Sequence, residues 1–206
     1  MKSIRIEKDV IFDHDVEVRM PDGVRLMANV FRPAVDRPCP VVMSVTPYGK
    51  DVLPDWIHMT LMRLTGVRFG HLACSKWTGF EAPDPLFWTR AGFVVMQADV
   101  RGMHKSEGHA GVLTDQDAQD YYDLIEWAAR QPWSSGAVGL VGVSYLCMSQ
   151  WCTSSDARAT KCTFMDSTVS CRTPWPRGGC VSRIEGRTIR EAVQAGRGTR
   201  IVTVSR

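Results

Sequence analysis

The sequence predicts an α/β architecture on a mostly parallel sheet. Two observations carry that prediction. Apolar runs of strand length recur at 40–45, 92–100 and 138–143, as expected of strands covered on both faces. A helical pattern separates the last two runs, and a second helix follows the third.

The elements follow in chain order. The opening MKSIRIEKDVIFDHD is charged throughout and lacks the apolar core of a secretory signal. No apolar run approaches the ~20 residues of a membrane helix. The expectation is a soluble, cytoplasmic protein. Residues 16–32 alternate apolar and polar on both sides of Pro21-Asp22-Gly23, which predicts an antiparallel hairpin with turn chemistry at its tip. The 40–45 strand ends in the sharp loop Thr46-Pro47-Tyr48-Gly49-Lys50. Trp56, His58, Met59, Leu61, Met62 and Leu64 suggest a short helix, and Gly70 to Pro85 a long aromatic-rich surface excursion. The 92–100 strand runs into the Gly-punctuated loop Arg101–Gly108.

Residues 114–130 form the clearest helix. Thr114 can cap it, and Asp115, Asp117 and Asp120 sit early, where the helix dipole favours anions. Tyr121, Leu124, Ile125 and Ala128 make the buried stripe, and Pro132 stops it. After the 138–143 strand a further helix begins at Tyr145. Beyond Trp151 the pattern dissolves, leaving one weak helix at Ile184–Ala195 and a strand-like end at Arg200–Ser205. The charge divides at the same place: residues 1–150 carry −3 and residues 151–206 carry +6. Two regions follow: 1–151, which holds the α/β pattern, and 152–206, a basic tail rich in Cys, Arg and Ser.

Several function classes are disfavoured. A net charge of +3 is too small to argue for nucleic acid. Seven cysteines, an odd number without a CxxC spacing, argue against a disulfide framework and against zinc. No metal, cofactor or membrane partner is expected.

One short stretch carries chemistry. In VGLVGVSYLCMSQW, Ser144 is a lone hydroxyl between a buried strand and a helix. That context is a nucleophile elbow: a tight strained turn lifts the serine above the sheet, and Gly142 removes a Cβ that would collide. The backbone N–H of Tyr145 would then face a developing oxyanion. The competing reading is an ordinary helix N-cap serine.

Five stretches are more specific than the serine motif: MPDGVRLMANVFRP, VTPYGKD, WTRAGFVVMQADVRGMHKSEG, YDLIEWAARQPWSSGAVG and VGVSYLCMSQW. Through them, about residues 12 to 151 resemble the cocaine-esterase and X-prolyl dipeptidyl peptidase group of α/β hydrolases. The resemblance implies an α/β-hydrolase fold, incomplete in this chain, with helices on both faces of the sheet. It also implies a serine hydrolase acting on small acyl esters, amides or peptides. By position it makes Ser144 the acylated nucleophile, Tyr145 an oxyanion donor through its N–H, and Tyr48 the second donor through its hydroxyl. Cys147 stands where the group has Gly, and His104 interrupts the group's D-x-R-G-x-G loop.

The group's acid and base are expected after the serine. All five histidines here, His14, His58, His71, His104 and His109, precede Ser144. The downstream acids are Asp156, Asp166, Glu185 and Glu191. Two further expectations follow. This polypeptide is a truncated, catalytically impaired fragment with a frame-shifted tail, or an upstream histidine, His104 or His109, serves as base. The strand at 138–143 would become an unprotected sheet edge.

Overall fold

The computed structural model of the chain describes residues 2–53, 75–142, 144–155 and 164–165. These residues form one sheet of strands β1 (Lys2–Glu7), β2 (Val10–Arg19), β3 (Arg25–Pro33), β4 (Cys39–Thr46), β5 (Val94–Asp99), β6 (Ser134–Val141) and β7 (Phe164–Met165). The spatial order is β1-β2-β3-β5-β4-β6-β7. The β1-β2, β2-β3 and β3-β5 pairs are antiparallel, while β5-β4, β4-β6 and β6-β7 are parallel. The sheet is therefore mixed, and its antiparallel part extends one strand beyond the expected hairpin. β1 carries only Ile4 and Ile6 among charged and polar residues, too short an alternation for the sequence pattern to mark it.

Three helices are described: α1 (Pro85–Arg90), α2 (Asp115–Ala129) and α3 (Tyr145–Ser155). They occupy both faces of the sheet. α2 buries Tyr121, Leu124, Ile125 and Ala128 in the larger core with Val41, Met43, Val94, Met96 and Leu140. On the other face Leu86 of α1 packs with Val10, Phe12, Phe31 and Val95, beside Trp77 and Trp88. α2 starts as its sequence dictates. Thr114 and Asp117 form a reciprocal capping box, satisfying two donors that would otherwise lack partners. α1 lies at the end of the expected excursion. Its signal is Asp84-Pro85, a cap followed by a proline at the first turn.

β2 contains a device that alternation alone conceals. Val10, Phe12, Val16 and Val18 share one parity, yet the first two face the smaller core and the last two the larger. The register explains this. Asp13 pairs with Val30 but Val16 pairs with Ala28, so one extra residue is inserted in β2. That bulge switches faces. It also places Asp15 in a left-handed conformation, φ +52°, off the ladder.

β6 runs from Ser134 to Val141, earlier than the apolar run suggests. It was expected to be the edge; instead β7 pairs with it at Leu140 and Val141. Among the described residues no helix is long and apolar enough to cross a membrane. The helices expected at 56–64 and Ile184–Ala195, the strand at Arg200–Ser205, His58, His71 and the four downstream acids lie outside the described residues.

Candidate active site

The parallel register brings three strand ends to one edge. Thr46 of β4 lies beside Asp99 of β5, and Met43 lies beside Leu140 of β6. The loops that leave those strands carry Tyr48, His104 and Ser144. This carboxyl edge is where open α/β sheets place their ligands.

Ser144 sits at the corner between β6 and α3 with φ +55°. An ordinary N-cap serine is extended, so the left-handed backbone sets this residue apart. Such a conformation costs of order 1–3 kcal/mol and persists only where surroundings enforce it. Here they do. The Ser144 carbonyl accepts from the N–H groups of Cys147 and Met148, both at 3.0 Å, which locks it to the first turn of α3. A Cβ on Gly142 would meet the Leu146 Cβ at 2.4 Å, so only glycine permits the helix to close this tightly on the strand. Leu146 and Cys147 are buried beneath the turn. Cys147 occupies its place as a small buried group.

Tyr145 divides its roles. Its side chain packs against the larger core. Its backbone N–H belongs to the first turn of α3, where such groups have no intrahelical acceptor.

Tyr48 faces Ser144. Its half-buried hydroxyl lies near enough to the Ser144 and Glu81 side chains for both to act on it electrostatically. Burial, then the negative charge of Glu81, pushes the phenol above its ordinary pKa, so Tyr48 is a neutral donor at physiological pH. Phe80 meets the Tyr48 ring edge-on at 5.0 Å.

The loop bearing Tyr48 is tied down by charge. The Tyr48 N–H donates to Thr46 Oγ1 at 3.1 Å. Gly49 turns the chain at φ +95°, with the His104 ring packed so closely that a Cβ would touch it at 2.8 Å. The Lys50 N–H donates to Asp99 Oδ1 at 2.7 Å. The Lys50 ammonium, with no exposed side-chain surface, reaches Asp15 at 2.6 Å and Asp51 at 2.8 Å. Lys105 reaches the same two carboxylates, each at 2.8 Å. Asn29 donates to Asp51 at 2.8 Å. Burial pushes Asp51 up, but hydrogen bonds from Lys105, Lys50 and Asn29 outweigh it and hold the group well below the usual carboxylate range. Asp15 is lowered by the same opposition of burial against the two lysines.

His14, Asp15 and Asp51 bring ligand atoms within 4.8 Å of one another, a spacing a metal could use. Two ammonium groups already neutralise those two carboxylates. The cluster is an ion-pair anchor for the Tyr48 loop.

Ser144, Tyr145 and Tyr48, named from sequence, thus meet at one corner. The proposed upstream bases do not join them. His104 Nε2 lies 3.1 Å from the Pro47 carbonyl, and His109 has no hydrogen bond to Ser144. Among the described residues no histidine is hydrogen-bonded to Ser144. Glu81 and the Lys50 network were missed by sequence reasoning. Lys50 stood in a quoted motif, but nothing in a loop sequence marks a lysine as buried.

The sequence model for X-Pro dipeptidyl-peptidase (S15 family) matches residues 22–201. Cocaine esterase of Rhodococcus sp. is 34% identical over 137 residues, 66% of this chain and 20% of that protein. A crystal structure of a CocE/NonD family hydrolase from Staphylococcus aureus superposes with TM-score 0.69 at 40% identity, covering 76% of this chain and 27% of that one. An α-amino acid ester hydrolase, 23% identical with TM-score 0.55 over 76% of this chain and 25% of its own, shares the fold. The chain spans about a fifth of the length of the curated relatives it matches.

Proposed function

The chain belongs to the X-Pro dipeptidyl-peptidase (S15) family, and from that premise we propose that its chemistry is hydrolysis of an acyl ester or amide through an acyl group carried on Ser144. The observation that carries this reading is the pairing of a strained serine, φ +55°, with a neutral phenol at the carboxyl edge of the sheet. In the proposed reaction Ser144 Oγ attacks the carbonyl carbon and gives up its proton to a base. The negative charge on the former carbonyl oxygen is stabilised by the Tyr48 O–H and the Tyr145 N–H. The alcohol or amine leaves with a proton, and water then cleaves the acyl-serine. The names of the relatives favour small esters and peptides as substrates.

Serine at its free pKa is a weak nucleophile, so the base decides turnover. All the histidines of the sequence precede Ser144, and among the described ones none is hydrogen-bonded to it. A polypeptide of these 206 residues alone is therefore proposed to acylate slowly, with turnover far below that of a full triad. Fluorophosphonate labelling of the chain and of Ser144→Ala tests the nucleophile. Labelling that survives in Ser144→Ala, or none in either protein, removes the reading.

A further inference from the structure

We propose that His104 is a positioning residue for Tyr48: its ring grips the chain on both sides of that tyrosine and fixes the direction of the phenol. Its part in catalysis rests on the acyl-serine reading above.

The grip is seen on each flank. His104 Nε2 lies 3.1 Å from the Pro47 carbonyl oxygen. A carbonyl can only accept, so Nε2 carries the hydrogen and donates it. The other side of the ring fills the space that a side chain at position 49 would need. A Cβ on Gly49 would stand 2.8 Å from His104 Cε1 and 2.9 Å from Nδ1. Pro47 and Gly49 are the two chain neighbours of Tyr48.

The platform behind the ring is stiff. The Gly102 N–H donates to the Glu107 carbonyl and the Ser106 N–H to the Met103 carbonyl, both at 2.9 Å. Ser106 Oγ donates to the Asp99 carbonyl at 2.9 Å. Asp99 joins the same loop to the far side of Gly49 through the Lys50 N–H. His104 itself takes φ +50°. Its place is the one at which the resemblance has glycine, the residue that adopts such a backbone freely. A side chain there costs conformational energy and persists where the surroundings enforce it.

The core does not need this contact. His104 is exposed, and neither hydrophobic cluster contains it. What the ring adds is control of the two peptide units that flank Tyr48, and so of the direction in which its side chain leaves the backbone. A donor for a developing oxyanion works by being aimed before the reaction begins.

The experiment uses the full chain with His104→Gly, His104→Asn and His104→Gln. Two quantities are followed: the Tyr48 titration by ultraviolet difference against Tyr48→Phe, and the rate of Ser144 fluorophosphonate labelling. Because the residue is exposed, each variant should unfold near the denaturant midpoint of the unaltered chain. Glycine and asparagine suit a positive φ but fall short of the Pro47 carbonyl. Glutamine suits that backbone less well but carries an N–H at about the reach of Nε2. Labelling should slow about ten-fold in the glycine and asparagine variants, a share of the 10²–10³ that one oxyanion donor supplies. Their Tyr48 midpoint should fall toward the ordinary tyrosine value as the phenol leaves its half-buried place. The glutamine variant should stay near the unaltered chain in both. A purely backbone role predicts the reverse order, with glutamine slow and the other two unaffected, and that result overturns the proposal. Equal slowing in all three, or a Tyr48 midpoint that stays put in glycine and asparagine, overturns it as well. A midpoint that falls in those two while no protein shows Ser144-dependent labelling upholds the grip on Tyr48 and sinks the hydrolase reading instead.

Discussion

Around Tyr48 the chain is held by charge; around Ser144 it is held by shape. The Tyr48 loop is bracketed by a buried ammonium, a second lysine, three carboxylates and an asparagine, drawn from β2, β3, β5 and the loop after it. The Ser144 turn is fixed by two helical hydrogen bonds and by the lack of a Cβ at Gly142. The difference follows from what each corner must do. A phenol donor needs a fixed backbone but tolerates an ordinary conformation, so polar links suffice. A serine forced into the left-handed region needs steric closure, because hydrogen bonds alone would let the backbone relax.

The largest test of this contrast removes each reactive group in turn. Ser144→Ala should abolish fluorophosphonate labelling while leaving the melting curve nearly unchanged. Tyr48→Phe should slow labelling about 10²–10³-fold, the effect of one lost oxyanion donor, again without unfolding the protein.

Next come the supports. Lys50→Met leaves Lys105 as the one ammonium ion-paired with Asp15 and Asp51, beside His14 and Asn29. Both carboxylates are about a third exposed, so the cost should fall below that of a fully buried pair, at about 1.5–3 kcal/mol in denaturant unfolding. The Tyr48 titration should shift with it, since the loop loses its anchor. Gly142→Ala should cost about 1–3 kcal/mol through overpacking against Leu146. It should also depress Ser144 labelling but leave the Tyr48 titration in place. If both supports affect both corners equally, the contrast between them is wrong.

The smallest effect is on pH dependence. Asp15 and Asp51 have lowered pKa values, so their contribution is complete above the ordinary carboxylate value and is lost as pH falls through the lowered values. Asp99 and Glu81 are raised by burial, so their protonation on acidification favours the folded state. Lys105 is raised by its hydrogen bonds to Asp15 and Asp51, and its contribution is lost as pH rises through that raised value. The denaturant midpoint should therefore hold or rise slightly from neutral pH to about 5, then fall below about 4. In Lys50→Met the acid fall should be shallower.

Much of this was legible in the sequence, and the reasons are local. The Tyr121, Leu124, Ile125 and Ala128 stripe and the Thr114 cap are short-range patterns, and α2 has both. The elbow was legible because strand, Gly, Ser and helix follow without a gap. The β2 bulge was not, because Val10, Phe12, Val16 and Val18 keep one parity through it and only the partner strand reveals the inserted residue. Arg101 was read as part of a loop. It is almost fully buried, gripping Asp120 of α2 with two bonds of 2.6 Å and Asp22 of the hairpin tip at 2.7 Å. Its partners lie 19 and 79 positions away in sequence, and no spacing rule connects them.

The backbone at Ser144 also acts as a chemical filter. Threonine carries the same hydroxyl and could attack a carbonyl as well, but its second branch at Cβ is barely tolerated where φ is positive. At this corner, stereochemistry and not reactivity shuts out the secondary alcohol.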